Sequence, residues 1–400
     1  MIFDYDVVNF RRKMTTWLSK MLKRILKPPS QSFFLLGPRG TGKSTWLRAL
    51  FPDAHLINLL SEATYQGLLA NPGLFANQLR AIPAGKWVVI DEVQRLPALL
   101  NEVHRYIEKK QLKFVLCGSS ARKLKRAGVN LLAGRALNRS MHPFVPEELN
   151  EPLDVDEVLR FGLLPIVWDS VEKSETLAAY AQLYLKEEIQ TEALVRNLAG
   201  FARFLPIAAL YQGQALNVSN IAREAGVART TVAGYLEILE ETLLCFRLPG
   251  YEAKMRVRER KLPKWYWCDP GLVRAMKRSQ GALIPEETGP LFEGLVAQLL
   301  RAYRDYRRLF DDMYYWAPSG GIETEVDFLL QRDREFVAIE SKSGRTFSDK
   351  WCKGLRAIAD LKGLQRRIVV YPHGPVMRTD DGIDVFPFDH FAGLLAENRL

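Results

Sequence analysis

The chain from residue 33 to about 145 alternates short apolar runs with longer stretches in which apolar positions recur at helical spacing. The apolar runs, in chain order, are FFLLG, AHLINL, WVVIDE, KFVLCGSS and ALNRSMHPF. Short runs of this kind are typical of strands buried on both faces, and the stretches between them are typical of amphipathic helices. The pattern predicts an α/β unit built on a parallel sheet.

The pattern changes around Pro143 and Pro146, where a mostly helical stretch begins. A compact helical part with a strand hairpin comes next, and a last α/β part opens with a helix. These changes predict an N-terminal amphipathic helix, the α/β core, a helical connector, the compact helical part and the last α/β part at residues 1–29, 30–146, 147–215, 216–284 and 285–400.

The N-terminal helix has two interpretations, because residues 14–25 combine an apolar stripe with a basic opposite face. The basic face could lie on a membrane surface. Packing against the following unit is the favoured interpretation, since Pro28 and Pro29 end the helix beside the first strand.

The charge balance is basic, with 56 Lys and Arg residues against 46 Asp and Glu residues, a net charge of +10 and a sequence pI near 9.3. This surplus permits binding to a polyanion without requiring it. The four cysteines lie far apart with no CxxC pair, which argues against a disulfide framework or a zinc site and favours a reducing cytoplasm. No apolar run reaches the roughly 18 residues that span a bilayer. We therefore expect a cytoplasmic protein with no membrane partner.

The segment FFLLGPRGTGKSTWLRAL carries a Gly-x-x-x-x-Gly-Lys-Ser pattern between an apolar strand and an amphipathic helix. The glycines let backbone N–H groups wrap nucleotide phosphates, and the helix N-terminus adds partial positive charge. Lys43 is predicted to reach the β- and γ-phosphates, and the Ser44 hydroxyl to complete the shell of a Mg²⁺ ion. The predicted ATP-binding residues are Gly37, Pro38, Arg39, Gly40, Thr41, Gly42, Lys43, Ser44 and Thr45.

The segment KWVVIDEVQ is the expected companion of this loop, because it brings Asp91 and Glu92 to the carboxyl end of a strand, where such sheets bind ligands. Asp91 is predicted to hold Mg²⁺ through water, and Glu92 to orient or deprotonate the attacking water. An acidic strand end without a catalytic role is the alternative. The preceding phosphate loop favours hydrolysis of ATP.

Two further polar positions complete the predicted hydrolysis site. KFVLCGSS ends a buried strand at Ser119, whose hydroxyl can hold the lytic water near the γ-phosphate. Arg135 precedes the last strand, and in ring-forming ATPases an arginine at this place acts on the neighbouring subunit's nucleotide. Arg122 and Arg139 are rival candidates for that role, and each of the three can also be an ordinary surface arginine.

These motifs resemble those of AAA+ ATPases, and residues 33–145 look like a module of that family with strand order 5-1-4-3-2. The whole chain resembles prokaryotic ATPases that join such a module to a C-terminal domain long classed as of unknown function. Those proteins share GPRGTGKS, VIDEVQ, GSSARKL and LAGRA in this order, followed by a winged helix and a nuclease-like end. The resemblance implies a homo-oligomeric ring, often a hexamer in this class.

The segment LNVSNIAREAGVARTTVAGYLEILEETLLCFRL fits the spacing of a helix-turn-helix. Gly226 supplies the turn, and Ala228 takes the N-cap position, where Ser is common in such motifs. Arg229, Thr230 and Thr231 then lie at the N-terminus of the second helix, where such motifs contact DNA.

The stretch YEAKMRVRERKLPKWYW is interpreted as a basic hairpin, the wing of a winged helix. Its surplus of Lys and Arg suits the phosphate backbone of DNA, and Lys254, Arg256 and Arg258 are the predicted contacts. Lys264, near its end, counts among the same basic positions. Winged helices also serve as packing or protein-interaction modules, so the charge of the hairpin is what favours DNA.

The last α/β part places charged residues on three predicted elements. LFEGLVAQLLRAY predicts a helix with Glu293 on its first turn, and ETEVDFLL brings Asp327 into a strand. FVAIESKSG brings Glu340 and Lys342 onto one face of the next strand and Ser341 onto the other. Buried charges without partners are costly, and a divalent metal between Asp327 and Glu340 removes that cost.

The order Glu…Asp…Glu-x-Lys resembles the core of PD-(D/E)xK nucleases, although Val326 stands where that core usually has proline. The resemblance implies that Asp327 and Glu340 ligate Mg²⁺ or Mn²⁺ and that Glu293 supports the metal. It also implies that Lys342 positions the nucleophilic water. An inherited fold that binds DNA and no longer cuts it is the alternative.

The predicted fold class is α/β, with an AAA+ P-loop domain on a parallel sheet, then a winged helix-turn-helix, then an α/β restriction-endonuclease-like domain. The predicted function is ATP-driven remodelling of branched or single-stranded DNA, with metal-dependent cleavage. One alternative is an ATP-dependent regulatory or defence protein whose nuclease fold is silent and which acts through protein partners. Another is a membrane-associated ATPase that uses the basic N-terminal helix.

Overall fold

The computed structural model of the chain describes residues 23–120, 132, 134–184, 198–252, 262–279, 281–318 and 324–400. Outside these residues lie most of the predicted N-terminal helix, the predicted DNA contacts Lys254, Arg256 and Arg258, and the rival arginine Arg122. Within the described ranges, no helix is both long and apolar enough to cross a membrane.

A parallel sheet forms the first α/β unit. Its strands are β1 (Phe33–Leu36), β2 (His55–Asn58), β3 (Trp87–Asp91), β4 (Lys113–Gly118) and β5 (Leu137–Ser140). They lie in the order β2-β3-β4-β1-β5, and neighbouring strands pair in parallel. The predicted 5-1-4-3-2 order is therefore confirmed. Strands β1, β3 and β4 lie inside the sheet and are largely buried, which explains their continuous apolar runs.

Helices cover both faces of this sheet, as a parallel sheet requires. They are α1 (Lys43–Leu50), α2 (Glu62–Ala70), α3 (Gly73–Ala81) and α4 (Leu99–Lys110). Trp46 and Leu47 of α1 pack on the face that carries Phe33 and Leu35. Apolar residues of α2, α3 and α4 pack on the other face, which carries Phe34. The alternation of side chains along β1 thus serves two separate cores.

Short helices follow the sheet and lead to a pair of helices joined by a turn. They are α5 (Val155–Phe161), α6 (Pro165–Trp168), α7 (Lys173–Ala179), α8 (Leu198–Leu210), α9 (Val218–Ala225) and α10 (Arg229–Glu241). A π-helical turn at Tyr180–Tyr184 extends α7. Gly226, with a left-handed φ of 62°, ends α9, and α10 begins directly after Ala228. The predicted turn glycine and helix start are confirmed.

A small antiparallel sheet accompanies the helix pair. Its strands are β6 (Gln214–Ala215), β7 (Cys245–Leu248) and β8 (Lys264–Trp267), in the order β6-β8-β7. Strand β8 is buried along its whole length. It is therefore an interior strand of the molecule and not the exposed edge of a hairpin.

The last α/β unit is built on a mixed sheet. Its elements are α11 (Pro270–Met276), α12 (Pro285–Arg307), β9 (Asp312–Trp316), β10 (Val326–Arg332), β11 (Glu335–Ser341), α13 (Lys353–Ala357), β12 (Leu364–Tyr371), β13 (Met377–Arg378), β14 (Asp384–Pro387) and α14 (Phe388–Ala396). The strand order is β13-β14-β12-β11-β10-β9. Strands β9, β10 and β11 pair antiparallel, whereas β11, β12 and β14 pair in parallel. The predicted order of helix, strands and helix is confirmed.

One apolar core runs through the parts of the chain that follow the parallel sheet. Its buried residues extend from Phe144 to Leu395 and include the helix pair, α12 and one face of the mixed sheet. The other face of the mixed sheet packs with α13 in a separate core. Because they share one core, the small sheet and the mixed sheet lie against each other. The bounds of the five predicted parts stay predictions.

The C-terminal end of α12 contacts the segment that follows β5. The ring Nε2 of His142 lies 2.7 Å from Asp305 Oδ2, and the His142 amide donates to the Tyr306 hydroxyl at 2.8 Å. Arg24 donates to the same hydroxyl at 3.1 Å and forms a buried pair with Glu148 at 3.1 Å. These polar contacts join the mixed-sheet unit to the parallel-sheet unit.

Candidate functional site

The predicted phosphate loop joins β1 to α1 and uses glycine where no other residue fits. Gly40 and Gly42 have φ angles of 76° and 82°, in the left-handed region that side chains disfavour. A side chain at Gly37 would lie 2.3 Å from the carbonyl oxygen of Met141. Gly42 caps α1 without a side-chain hydrogen bond, so the first amides of the helix are available to an anion.

Lys43 folds back into this loop. Its buried Nζ donates to the carbonyl oxygens of Gly37 and Pro38 at 2.8 and 2.9 Å. The Thr41 hydroxyl donates to the same Pro38 oxygen at 2.8 Å. Ammonium groups bind charged phosphate oxygens more strongly than neutral carbonyl oxygens, so a nucleotide can take the lysine from these partners.

The helical connector contacts the outer side of the loop. The Tyr180 hydroxyl donates to the carbonyl oxygen of Arg39 at 3.0 Å, and the Ile166 amide donates to that of Gly40 at 3.3 Å. Thr45 lies in the first turn of α1. The carbonyl groups of Arg39 and Gly40 thus face the connector, whereas those of Gly37 and Pro38 face Lys43.

Ser44 and Asp91 meet where the sequence predicts a metal. Ser44 Oγ donates to Asp91 Oδ2 at 2.7 Å. Asp91 Oδ1 is buried and has no hydrogen-bond partner within the described residues. A buried carboxylate oxygen in this state is costly, and a hydrated Mg²⁺ ion satisfies it. The residues present therefore fit the Mg²⁺ that accompanies ATP.

Glu92 and Ser119 also meet at this end of the sheet. Glu92 follows β3 in a left-handed backbone conformation with a φ of 59°, which is unusual for a residue with a side chain. Its carboxylate accepts a short hydrogen bond from Gln94 Nε2, and the Ser119 hydroxyl donates to the same oxygen at 3.4 Å. Gln94 Nε2 also lies 3.2 Å from Ser119 Oγ. The structure brings the two predicted catalytic side chains into one hydrogen-bonded group.

Gln94 is the member of this group that the sequence reasoning missed. Its side chain is 4% exposed and reaches the end of β4. A side chain at Gly118 would lie 2.3 Å from Gln94 Oε1, so the glycine makes room for the glutamine. A sequence signal for this residue was present in the segment DEVQ. There, the acidic pair is followed by one apolar residue and then by the polar Gln94.

Arg135 lies at the opposite end of the sheet from the phosphate loop. Leu137 pairs with Phe33, the first residue of β1, whereas the loop follows Leu36, the last one. The Arg135 side chain forms an ion pair with Glu108 of α4 and is 40% exposed. It therefore does not approach the loop of its own chain. Its action on a neighbouring subunit stays a prediction.

The last α/β unit brings a second set of charged side chains together. Glu293 comes from α12, Asp327 from β10 and Glu340 from β11. Lys342 follows β11 directly, and its Nζ lies 2.5 Å from Glu340 Oε1. Asp327 and Glu340 are buried. We call Glu293, Asp327 and Glu340 the carboxylate set.

A lysine from the small sheet lies against this carboxylate set. Lys264 Nζ is 3.2 Å from Glu293 Oε1 and 3.5 Å from Asp327 Oδ1. It is 2.9 Å from Oε1 of a further carboxylate, Glu325. Tyr266, on the same face of β8, donates to Glu293 Oε1 at 2.5 Å. Lys264, which counts among the basic positions of the predicted hairpin, is not an exposed cation, because its side chain is 4% exposed and its charge is bound by carboxylates.

Asp327 has further partners at the end of β11. Its Oδ2 accepts hydrogen bonds from the backbone amide and the hydroxyl of Ser341, both at 2.9 Å. The prediction that Ser341 points away from the carboxylates is wrong, because at this last strand position its hydroxyl turns to Asp327. Glu340 Oε2, in contrast, is buried and has no hydrogen-bond partner within the described residues.

Burial and mutual repulsion raise the pKa values of the glutamates. Burial, followed by the charge of Asp327, raises the pKa of Glu293 to about 7. The same two causes raise the pKa of Glu340, against the opposing effect of Lys342. Burial lowers the pKa of Lys264, but Glu293 and Asp327 outweigh burial, and the net shift is upward. Lys264 therefore stays charged at neutral pH.

The carboxylate set does not fit a divalent metal ion in this arrangement. No group of three or more His, Cys, Asp or Glu side chains among the described residues has the geometry of a metal site. Lysine ammonium groups lie on oxygens of Glu293, Asp327 and Glu340 instead. The predicted metal between Asp327 and Glu340 thus has no formed site here.

The predicted DNA contacts of the helix pair lie in the first turn of α10. Arg229 and Thr230 are exposed, and Thr231 is half-buried. Val232 and Leu236, on the same helix, are buried in the shared core. The packing therefore leaves the N-terminus of α10 on the surface.

Three family models match consecutive parts of the chain. Residues 29–150 match the model described as an AAA domain. This part is an AAA-type ATPase domain. Residues 153–282 match a domain of unknown function, DUF8612, and residues 288–391 match another, DUF4143. The ATPase domain contains every residue of the predicted nucleotide site, and the third match contains the carboxylate set.

Relatives of this chain exist in mycobacteria. Uncharacterized proteins of Mycobacterium tuberculosis and Mycobacterium bovis are each 27% identical over 371 residues, which cover 89% of this chain and 79% of the relative. Among solved structures, the ADP form of the Aeropyrum pernix ORC2 protein is 11% identical and covers 54% of this chain and 81% of its own, with a TM-score of 0.29. A Vibrio cholerae protein is 13% identical, with coverages of 93% and 97% and a TM-score of 0.22. At these scores the likeness adds nothing to the fold described above.

Proposed function

We propose that the protein is an ATP-hydrolysing AAA+ machine that acts on DNA and carries a nuclease-like C-terminal domain. The observation that carries the proposal is the hydrogen-bonded arrangement at the carboxyl ends of β1, β3 and β4. There, Ser44 contacts Asp91, and Glu92 contacts Ser119, beside the lysine of the phosphate loop. These are the groups that a P-loop hydrolase needs, and they lie within the AAA domain.

Residues 37–45 bind ATP in this proposal. The loop amides and the start of α1 hold the phosphates. Lys43 leaves the carbonyl oxygens of Gly37 and Pro38 and pairs with phosphate oxygens. Ser44 and Asp91 would hold Mg²⁺, which would neutralise negative charge on the phosphates.

Glu92 and Ser119 act on the attacking water in this proposal. The Glu92 carboxylate orients the water or accepts its proton, and the Ser119 hydroxyl holds it from the end of β4. Gln94 donates to the carboxylate from a buried position and so restricts its orientation. Restricting a general base in this way lowers the entropic cost of reaching the reactive geometry.

The proposal includes a homo-oligomeric ring, with a hexamer as the expected form. Support comes from Arg135, which is exposed at the end of the sheet far from its own phosphate loop. Exposed ion pairs contribute little, so Glu108 does not prevent Arg135 from binding a neighbouring subunit's nucleotide. Arg135→Ala is expected to lower ATP hydrolysis while each subunit still binds ATP.

DNA is the proposed partner of the helix pair, with branched or single-stranded DNA as the expected class. Support comes from the exposed first turn of α10, which carries Arg229 and Thr230, and from the net charge of +10. Binding that weakens with salt and with Arg229→Glu is expected. ATP hydrolysis without measurable DNA affinity would instead favour a protein partner.

The nuclease-like assignment of the C-terminal domain is supported by its sheet. The antiparallel pair β10-β11 carries Asp327 and Glu340 on adjacent strands, and β12 and β14 continue the sheet in parallel. Glu293 joins them from α12. In this arrangement Lys264 and Lys342 lie on the carboxylate oxygens.

A second candidate function follows from the same lysines. An ATP-dependent regulatory or defence protein with a silent nuclease fold, acting through protein partners, has no need of a metal at this set. The burial of Lys264 among carboxylates is the observation that favours it.

One set of assays separates the candidates. ATP hydrolysis and cleavage of duplex, forked, single-stranded and four-way DNA are measured with Mg²⁺ or Mn²⁺ for the wild type, Lys43→Ala and Asp327→Ala. The first candidate predicts cleavage that Asp327→Ala removes, and the second predicts ATP hydrolysis without cleavage. A folded wild type that hydrolyses no ATP contradicts both.

A further inference from the structure

Lys264 reaches the carboxylate set from outside the C-terminal domain. It is the first residue of β8, which pairs with β6 and β7 in the small sheet beside the helix pair. Its ammonium nevertheless contacts Glu293 of α12 and Asp327 of β10. The carboxylate set and the cation that binds it thus come from different sheets.

The ammonium holds a position that a divalent ion would need. Its Nζ lies within 3.5 Å of oxygens from Glu293, Glu325 and Asp327. Mg²⁺ and Ca²⁺ bind oxygens at about 2.0 to 2.6 Å, so a metal ion bound to the same oxygens would overlap the ammonium. Lysine and metal therefore exclude each other at this set.

The packing of β8 fixes the lysine in place. Trp265, Tyr266 and Trp267, the rest of the strand, are completely buried. Tyr266 binds Glu293 through its hydroxyl, on the same side as the lysine. Lys264 can leave the carboxylates only if its side chain reorients or β8 moves relative to the mixed sheet.

We propose that Lys264 closes the carboxylate set of the C-terminal domain against divalent cations, and that withdrawal of this lysine opens the set. This inference rests on the proposed nuclease-like nature of the domain. The inference concerns the regulation of that site. The unit that carries the helix pair supplies Lys264, the residue that keeps the site closed. A partner that displaces β8, such as DNA bound by that unit, makes the carboxylates available.

The test measures Mn²⁺ binding by the full-length chain without nucleotide or DNA. Binding is detected as the loss of the free-ion signal in electron paramagnetic resonance. Lys264→Met removes the charge and keeps the apolar stem. The matched control is Lys277→Met, because Lys277 lies 3.5 Å from the buried Glu287, away from the carboxylate set. Lys264→Met is expected to bind Mn²⁺ about tenfold more tightly than the wild type and the control.

Two further variants make the result decisive. Asp327→Asn added to Lys264→Met is expected to remove the gained binding, which assigns it to the carboxylate set. Glu325→Gln removes a half-exposed partner of Lys264 and is expected to raise Mn²⁺ affinity by about threefold. If Lys264→Met does not fold, as judged by circular dichroism, the Glu325→Gln result decides.

Each outcome bears on the inference. A folded Lys264→Met variant with wild-type Mn²⁺ affinity overturns it, and so does a Glu325→Gln variant without any gain when Lys264→Met does not fold. A gain of Mn²⁺ binding without DNA cleavage supports the inference and contradicts the nuclease activity. Cleavage by the wild type without any gain in Lys264→Met supports the nuclease and overturns the inference.

Discussion

The two candidate sites each hold a buried lysine on protein oxygens, but the oxygens differ in charge. Lys43 donates to the neutral carbonyl oxygens of Gly37 and Pro38. Lys264 contacts carboxylates, among them Glu293 and Asp327. Phosphate competes well against neutral carbonyls, whereas a metal ion must displace a lysine from ionised groups.

The comparison teaches that a full set of motif residues does not by itself make a receptive site. In the ATPase domain, Asp91 keeps a buried oxygen without a hydrogen-bond partner in the described part of the chain, and a ligand can satisfy it. In the C-terminal domain, Asp327 already has Ser341 and Lys264 as partners. The first site is complementary to a ligand. The second is satisfied by its own protein at Asp327 but keeps one buried oxygen, Glu340 Oε2, without a hydrogen-bond partner among the described residues.

The largest expected effect is that of Lys43→Ala. Removing the ammonium that binds the phosphates is expected to lower kcat/KM for ATP about 10³-fold. A phosphate-release assay measures the change. Arg48→Ala, on the exposed face of the same helix, is the matched control and should leave the rate unchanged. Comparable rates for Lys43→Ala and the control would show that the loop lysine is not used.

Glu92→Gln should have the next largest effect. The amide keeps the shape of the side chain but cannot accept a proton, so kcat is expected to fall about 10²-fold while ATP still binds. Fluorescent ATP-analogue binding and phosphate release, measured together, check both parts. Glu102→Gln, at the surface of α4, serves as control. A Glu92→Gln variant at full rate would remove this residue from the mechanism.

Gln94→Ala is expected to act only through Glu92 and Ser119. Loss of the restricting hydrogen bonds should lower kcat about tenfold and leave KM unchanged, since these bonds go to Glu92 and Ser119. Steady-state kinetics measure the changes in kcat and KM separately. Gln66→Ala, which loses an exposed bond to Glu62, is the control. A raised KM with unchanged kcat would mean that Gln94 serves binding and not the water.

The smallest expected effect concerns Glu293 and the pH dependence of stability. Its pKa in the folded state, about 7, lies above the ordinary value of 4.5. As the pH rises, this carboxyl therefore loses its proton at a lower pH in the unfolded chain than in the folded one. Its contribution to the stability of the fold is fully present below pH 4.5 and is lost as the pH rises through 7. From pH 5 to pH 8, the free energy of unfolding of Glu293→Gln is expected to rise by about 1 kcal/mol relative to that of the wild type. This figure is smaller than the pKa shift alone would give, because the side chain is 18% exposed and solvent screens it.

Urea unfolding of both proteins at the two pH values measures this difference. Glu286→Gln, on the exposed first turn of α12, is the matched control and should show no such dependence. An equal effect of Glu293→Gln at pH 5 and pH 8 would show that the carboxylate is ionised at both.

Local patterns were sufficient to predict the ATPase domain. Each motif of this domain is contiguous in sequence, and parallel strands align the motifs at one edge of the sheet. These motifs were therefore sufficient to predict the strand order, the phosphate loop and the contact between Ser44 and Asp91. The turn at Gly226 followed for the same reason. Such features depend on neighbours along the chain or on a single sheet.

The missed residues depend on packing between distant segments. Lys264 belongs to a stretch whose composition is that of an exposed hairpin, and only the shared core places it beside Glu293 and Asp327. A signal existed in KWYW, because a lysine that opens an aromatic strand on the same face as a tyrosine needs a buried carboxylate partner. The sequence could not say which carboxylate.

Helix α12 has a structural consequence for both sites. Glu293 near its start binds Lys264, and Asp305 and Tyr306 near its end hold His142, which directly follows Met141 at the wall of the phosphate loop. A continuous helix spans the roughly 20 Å between these ends. Helix α12 is therefore a continuous structural connection between the wall of the phosphate loop and the glutamate that contacts Lys264.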